Sequence, residues 1–373
     1  MKSLFKKVND FLLSTYSKEP QGHCKTRINN LTGFVTGMIR KGSSHLSDIG
    51  SGLPKNIDAN SKTMAAKRFI ASKHTNYEVH YFPFLVTFLE GLISTFIQNS
   101  KEEVILVIDG SQMGKNNAAL AVSLVWKKRG IPLCWLVREG GKGHFCEEDH
   151  ITILQKAFGI ILPLLPASMK VVVLGDGEFD GIDLQKLCLN KGADYALRTA
   201  CNTILYREQE VFQGKNISPK PEHDCLFIEN VEFTKKRFKY VNYLCWHNQK
   251  RHKDPIFLIS NLGCPRAIMD YYDLRYSIEC LFKDIKSKSF NIHKTRLKKA
   301  EQVNNLILIA ALAFIIITSL AINYDKLKYR KMVQRVRTDQ IVLSFFSFAY
   351  KLIQHFLDNQ IDFHISCRFS KNE

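Results

Sequence analysis

The order of apolar runs in the middle of the chain is the feature that most constrains its fold. Five short runs predict strands, at residues 104–109, 118–126, 131–137, 171–174 and 194–198. Two stretches have helical periodicity, at residues 147–162 and 182–190. The first three strands follow one another closely, as in an antiparallel meander, and helices separate the later ones, as in parallel crossovers. The sequence therefore predicts an α/β domain built on a mixed sheet.

Two aspartates stand at strand ends in this pattern. Asp109 ends the first run, and Asp176 follows the fourth within GDGEFDG. The order of elements is similar to the ribonuclease-H-like arrangement, in which the first and fourth strands are neighbours. We therefore expect the two carboxylates to meet at one edge of the sheet. Each also precedes a glycine, as turn residues do, and Glu178, Asp180 and Asp183 are alternatives for the second acid.

A third acid, Glu279, lies in the stretch YYDLRYSIECLFKDIK, which we interpret as a helix. Tyr272, Arg275, Glu279 and Lys286 would share one stripe about 60° wide, since each residue turns an α-helix by about 100°. Apolar residues occupy another stripe, which would face the core. The alternative is an ordinary amphipathic helix with an Arg–Glu pair four residues apart.

Asp109, Asp176 and Glu279 together form a metal-site hypothesis. Carboxylate oxygens select Mg²⁺, with Mn²⁺ as a substitute, over zinc. Two such ions about 3.5–4 Å apart can activate a hydroxyl group and stabilise the leaving oxygen of a phosphodiester. The predicted chemistry is metal-dependent phosphodiester cleavage.

The balance of charges limits the partners of the chain. Its 53 Lys and Arg against 35 Asp and Glu leave a net charge of +18. Such an excess indicates a polyanionic partner, either nucleic acid or an anionic membrane surface. The ten cysteines form no C-x-x-C pair, so we expect reduced structural thiols and a cytoplasmic location.

One segment tests the membrane alternative. Residues 306–322 read LILIAALAFIIITSLAI and are flanked by basic residues. The run is slightly shorter than the ~18–20 apolar residues that a spanning helix needs, and it stands alone. We expect a buried core helix here rather than a membrane anchor.

The regions that flank or interrupt this core differ from it in composition and in predicted secondary structure. Residues 1–80 are predicted to be helical and to bind DNA, with Lys67, Arg68 and Lys73 either on phosphates or on a solvated basic face. Residues 201–255 read as a β-rich insertion, with strands at 229–233 and 238–246, before the core resumes at 256 and continues to 322. Residues 323–373 are predicted to form a basic helical region.

The motif containing Glu279 resembles a known family. Its spacing, Y-x-x-R-x-x-x-E-x-x-x-x-x-x-K, is similar to the signature of bacterial insertion-sequence transposases of the group named for insertion sequence four. That group has a DDE catalytic triad, and the resemblance covers about residues 100 to 320. It implies that Asp109, Asp176 and Glu279 are the catalytic, metal-binding triad.

The resemblance also implies DNA contacts. Tyr272, Arg275 and Lys286 would bind phosphates at the element end, and Arg198 ends a strand that resembles the segment after the second acid. A tryptophan of the insertion stacks on a displaced base in relatives, and Trp246 is the closest candidate here. The alternative, which is the more common role of such a residue, is a core aromatic of its hairpin. Gly177 departs from the family, in which arginine often follows the second acid.

The activity implied is metal-dependent cleavage at the ends of the element, which frees 3′-hydroxyls that attack target DNA. Its partners would be double-stranded DNA, as element ends and target, and a second copy of the chain as a homodimer on DNA. We expect no membrane partner. The alternatives are a catalytically inactive DNA-binding relic and a ribonuclease-H-like nuclease that acts on RNA hybrids or branched DNA.

Overall fold

The computed structural model describes residues 3–141, 143, 145–220, 223–248, 253–334 and 343–369. Within these residues the strands are β1 Glu103–Gln112, β2 Asn117–Trp126, β3 Arg129–Glu139, β4 Lys170–Gly175, β5 Asp194–Arg198, β6 Ile204–Arg207, β7 Glu210–Gln213, β8 Cys225–Phe233, β9 Phe238–Trp246 and β10 Ile256–Ser260. The α-helices are α1 Leu4–Ser14, α2 Gly22–Lys41, α3 Leu46–Gly50, α4 Ala59–Ile70, α5 Tyr77–His80, α6 Phe82–Gln98, α7 Glu147–Ile161, α8 Ile182–Asn190, α9 Pro265–Asp273, α10 Tyr276–Lys283, α11 Ala300–Tyr324, α12 Leu327–Val333 and α13 Phe345–Asp358.

The first five strands form the predicted mixed sheet. β2 pairs antiparallel with β1 and with β3, whereas β4 pairs parallel with β1 and with β5. Every residue of β2 is buried, so helices and loops cover both faces of the sheet and the strand sequence is a continuous apolar run. The α/β class and the ribonuclease-H-like order of strands are confirmed. The first strand is longer than predicted, since β1 continues three residues past Asp109.

The insertion extends this sheet rather than forming a separate one. β10 pairs antiparallel with β5 on one side and with β9 on the other, and the full order is β3-β2-β1-β4-β5-β10-β9-β8-β6-β7. Two strands, β6 and β7, were not predicted, because four residues are too few to give a clear alternation. The boundaries of the domains at residues 201 and 255 stay predictions.

One helix, α11, runs through the centre of the protein. It packs against α2, α4, α6, α13 and β3. Among the described residues it is the one helix long and apolar enough to cross a membrane, and its apolar window is fully buried inside the protein. The prediction of a buried core helix at 306–322 is confirmed.

Helices from both ends of the chain surround α11. The helices α1–α6 precede the sheet, and α6 was not predicted. After α11 the chain forms α12 and α13, and the assignment of residues 323–373 as a separate region stays a prediction. Arg335 and Arg337, which contribute to the predicted basic character of this region, lie outside the described residues.

The helix predicted to carry the four-residue motif is interrupted. α9 ends at Asp273 and α10 begins at Tyr276, because the amides of Leu274 and Arg275 donate to carbonyls three residues back, at 2.8 and 3.0 Å. A π-helical turn, Asp284–Lys288, then follows α10. The motif therefore spans two helices and a π turn. The prediction that its four residues share one stripe on a single helix is wrong.

Candidate functional site

The parallel pairing of β1 and β4 brings the two predicted aspartates together. Ile108 of β1 pairs with Gly175, the last residue of β4, so Asp109 and Asp176 each follow one member of this pair. Asp109 is 4% exposed, and its Oδ1 accepts a hydrogen bond from the amide of Gly110 at 2.7 Å. The backbone ladder thus fixes the position of this carboxylate.

A tight turn after β4 holds Asp176. Its Oδ1 accepts from the amide of Glu178 at 3.0 Å, and its carbonyl accepts from the amide of Phe179 at 3.0 Å. Phe179 is fully buried, with its ring centroid 4.7 Å from that of His150. Within GDGEFDG, the side chain of Asp176 thus closes the turn by a hydrogen bond, and the buried ring of Phe179 holds the turn against the core.

Arg275 connects the third acid to the first. Its Nη2 donates to Oε1 of Glu279, four residues later, and its Nη1 lies 3.8 Å from Oδ2 of Asp109. Burial alone would lower the pKa of Arg275, but Tyr272, Glu279 and Asp109 raise it above its ordinary value. The guanidinium is therefore a fixed cation between two of the predicted catalytic acids.

The π turn directs Lys286 toward the same acids. Its Nζ donates to Oγ of Ser111, on the strand that carries Asp109, at 2.9 Å. The carbonyl of Lys286 lies 2.5 Å from Nδ1 of His293. Lys286 thus reaches the site rather than pointing away into solvent.

These side chains line one open cleft of ≈ 810 Å³. Six of the eight residues predicted for catalysis or DNA binding lie on its wall: Asp109, Asp176, Arg198, Arg275, Glu279 and Lys286. The three acids, with the cations Arg198, Arg275, Lys283 and Lys286, can hold a divalent ion and phosphate groups together.

The other two predicted residues are buried. Tyr272 is 7% exposed and lies beside Arg275, whose guanidinium carbon is 5.8 Å from the ring centroid. Burial raises the pKa of Tyr272, against the opposing effects of Arg275 and Arg198. Trp246 is 4% exposed at the end of β9, where it pairs with Ile256 and Cys225. Their DNA contacts stay predictions.

The alternative acids lie outside the wall of this cleft. Asp180 accepts from Oγ1 of Thr199 at 2.6 Å, and burial raises its pKa. Asp183 pairs with Lys186 at 3.0 Å on the exposed side of α8. Glu178 is exposed in the turn after β4. Asp176 is therefore the acid of this group that the fold brings beside Asp109.

The acids of the cleft fit a divalent ion by their chemistry. All three are carboxylates, which Mg²⁺ and Mn²⁺ prefer. Their spacing is wider than that of a formed site, since no three His, Cys, Asp or Glu side chains among the described residues are grouped closely enough to hold a metal. Arg275 accounts for this spacing, because it lies between Asp109 and Glu279.

A buried ion pair behind the cleft was not predicted. Asp284, at the start of the π turn, is fully buried, and its Oδ2 lies 3.4 Å from Nη1 of Arg129 on β3. Its Oδ1 has no hydrogen-bond partner among the described residues. Burial raises the pKa of Asp284 to about 6, although Arg129, Lys288 and Lys283 oppose the shift. No sequence signal identifies this pair.

Comparisons with known proteins agree in part with the prediction. The family described as Transposase DDE domain matches residues 155–316, which include Asp176 and Glu279. The match is to this domain in general, and the narrower insertion-sequence group stays a prediction. No curated protein matches the chain.

Among solved structures, the piggyBac transposase synaptic complex with hairpin DNA is similar in overall arrangement. It is 12% identical, the match covers 96% of this chain and 78% of that chain, and the TM-score is 0.44. This likeness is too weak to assign a function.

Proposed function

We propose that the chain is a DNA transposase that cleaves the ends of an insertion sequence and joins the freed 3′-hydroxyls to target DNA. The observation that carries this proposal is the convergence of Asp109, Asp176 and Glu279 on one cleft, in a chain that matches a DDE transposase domain. The motif spacing supports membership of the group named for insertion sequence four. The net charge of +18 supports a DNA partner.

The three acids would hold the divalent ion. Two ions of this kind, when bound, activate a water or a 3′-hydroxyl and stabilise the oxygen that leaves phosphorus. For Glu279 to join Asp109 at a common ion, its pair with Arg275 has to open, because that guanidinium lies between them.

The cations of the cleft would grip the phosphates that flank the scissile bond. Arg275, released from Glu279, presents a planar fork that suits two phosphate oxygens, whereas Lys286 supplies a single point charge beside Ser111. Arg198, at the end of β5, would add a third contact in the same cleft. Burial of Tyr272 and Trp246 supports a packing role for both rings.

The remaining expectations belong to the same proposal. Cleavage at two ends requires two active sites held together, so the protein would act as a homodimer on DNA. The ten free thiols support a reducing location such as the cytoplasm.

The test is cleavage of a duplex that carries the inverted repeats flanking the coding region, with Mg²⁺ or Mn²⁺. Glu279→Gln should abolish cleavage and leave binding of the duplex intact. Glu178→Gln is the matched control, since Glu178 is an exposed acid beside Asp176, and it should cleave at the parent rate. Cleavage by the Glu279 variant would overturn the assignment of the triad.

The same assay separates two further functions. An intact protein that binds the repeats and never cuts them, even with Mn²⁺, would be a DNA-binding relic. Faster cleavage of an RNA–DNA hybrid or a branched duplex than of the repeats would indicate a ribonuclease-H-like nuclease.

A further inference from the structure

A basic segment, residues 292–299, follows the π turn and reads IHKTRLKK. Two of its residues are buried: Ile292, which is apolar and 0% exposed, and Thr295, which carries a hydroxyl group and is 9% exposed. Its basic side chains are exposed: His293, Lys294, Arg296, Lys298 and Lys299. The segment thus alternates between residues held by the protein and cations directed at solvent.

The backbone of the basic segment is fixed to the connection between β1 and β2. Asn117, which is fully buried, donates from Nδ2 to the carbonyls of Leu297 and Lys298 at 3.3 and 3.1 Å. Gly114 has φ +77°, and a Cβ there would lie 2.9 Å from Cγ2 of Thr295. This close approach requires glycine, and it joins the segment to the strand that carries Asp109.

The basic segment begins at the cleft. Gly114 and His293 both line the cleft beside the acids, and the ring of His293 contacts the carbonyl of Lys286. The cations that follow extend from this edge. None of Lys294, Arg296 and Lys298 makes an ion pair with a described residue. Within the part of the chain that the structure describes, no carboxylate neutralises their charge.

We propose that the basic segment binds the phosphate backbone of duplex DNA next to the bond held at the acids. The inference rests on the proposed function and adds a surface to it. Contacts from exposed Lys and Arg position a duplex without reading its sequence. Because the backbone is already fixed, binding orders only side chains, which lowers its entropic cost.

The test compares two variants that each remove three positive charges. Lys294→Ala/Arg296→Ala/Lys298→Ala removes cations of the basic segment. Lys128→Ala/Lys170→Ala/Lys191→Ala removes exposed cations at the far end of the sheet: Lys170 begins β4, Lys128 follows β2 and Lys191 follows α8. Binding of the inverted-repeat duplex is measured from 50 to 300 mM salt, together with an unrelated duplex of equal length.

Each phosphate contact contributes about 0.9 to the slope of log K against log salt concentration. The magnitude of the slope for the basic-segment variant should therefore be smaller than that of the parent by about 2–3, and equally so for both duplexes. The control variant should keep the parent slope. A charge-preserving variant, Lys294→Arg/Arg296→Lys/Lys298→Arg, should also keep it.

The outcomes distinguish this proposal from the function on which it rests. Suppose that the unmodified protein cuts the repeats and that the basic-segment variant has the same salt slope as the unmodified protein. This result would overturn the proposed DNA-binding surface and leave the transposase function standing. A parent protein that neither binds nor cuts DNA would overturn both.

Discussion

Asp109 and Glu279 reach the same cleft from two different kinds of backbone. Asp109 lies inside β1, where it pairs with Ala121 of β2, and the residue before it, Ile108, pairs with Gly175 of β4. Glu279 lies on α10, a helix of eight residues with a tight turn before it and a π turn after it. The sheet thus supplies a rigid half of the site, and the helix supplies a half held by side-chain contacts.

The difference shows which contacts position each acid. The place of Asp109 depends on hydrogen bonds of the main chain, which no single side-chain substitution removes. The place of Glu279 depends on Arg275 in front of the helix and on the packing of α10 against β3 behind it, where Arg129 meets Asp284. Substitutions on the helix side should therefore give graded effects.

The largest effect is expected on the sheet side. Asp109→Asn should lower single-turnover cleavage by about 10³-fold or more, because an amide is a poor ligand for a divalent ion and the fixed backbone offers no substitute. Asp183→Asn, in an exposed pair with Lys186, is the control and should stay within about twofold of the parent. Near-normal cleavage by the Asp109 variant would remove this residue from the site.

A smaller effect is expected when the connection between the two halves is altered. Arg275→Lys keeps the charge but loses the planar fork that, once released from Glu279, would bind two phosphate oxygens. Loss of charge-assisted hydrogen bonds worth about 1.5–3 kcal/mol should slow cleavage about 10- to 100-fold. Arg266→Lys, on α9 with Asp270 four residues away, is the exposed control. Equal rates for the two variants would mean that the fork of Arg275 does not bind the phosphates at the cleft.

The buried pair behind the helix predicts a dependence of stability on pH. Burial raises the pKa of Asp284 from 3.8 to about 6, so between these values the folded protein binds more protons than the unfolded chain. The contribution of Asp284 to stability is full below pH 3.8 and falls as pH rises toward 6.

Asp284→Asn should remove this fall, an effect of about 2–3 kcal/mol in the free energy of unfolding between pH 4 and 7. The measurement is urea unfolding across that range. Asp358→Asn, at the exposed end of α13, is the control and should follow the parent curve. A parent-like slope for the Asp284 variant would show that this carboxyl group does not titrate as its burial requires.

The smallest effect on chemistry is expected in the insertion. Stacking of a base on an aromatic ring contributes about 1–3 kcal/mol, so a stacking Trp246 would make Trp246→Leu bind or cut DNA at least about fivefold less well. Because Trp246 is 4% exposed, we expect cleavage per folded molecule to stay within about twofold, with the cost appearing in thermal stability instead. Binding and cleavage are measured on protein checked by circular dichroism.

The same contrast explains what could be predicted from the sequence. β5 and α8 occupy the predicted residues, 194–198 and 182–190, because apolar periodicity is a local property. The break at Leu274 and the π turn leave the motif spacing nearly unchanged, so the sequence does not distinguish them from a continuous helix. Asp284 reads as a surface acid, and its burial depends on Arg129, which is 155 residues away in the sequence.

The position of α11 has a consequence for how the chain acquires its structure during synthesis. This helix is encoded after residue 300, yet α2, α4 and α6 pack their apolar faces on it, and the carbonyl of Ile70 accepts a hydrogen bond from Asn305. A ribosome adds about 5–20 residues per second, so the first helices emerge more than ten seconds before their central partner. The early helices leave the ribosome with unburied apolar surface, and chaperones that shield such surface should raise the yield of active protein.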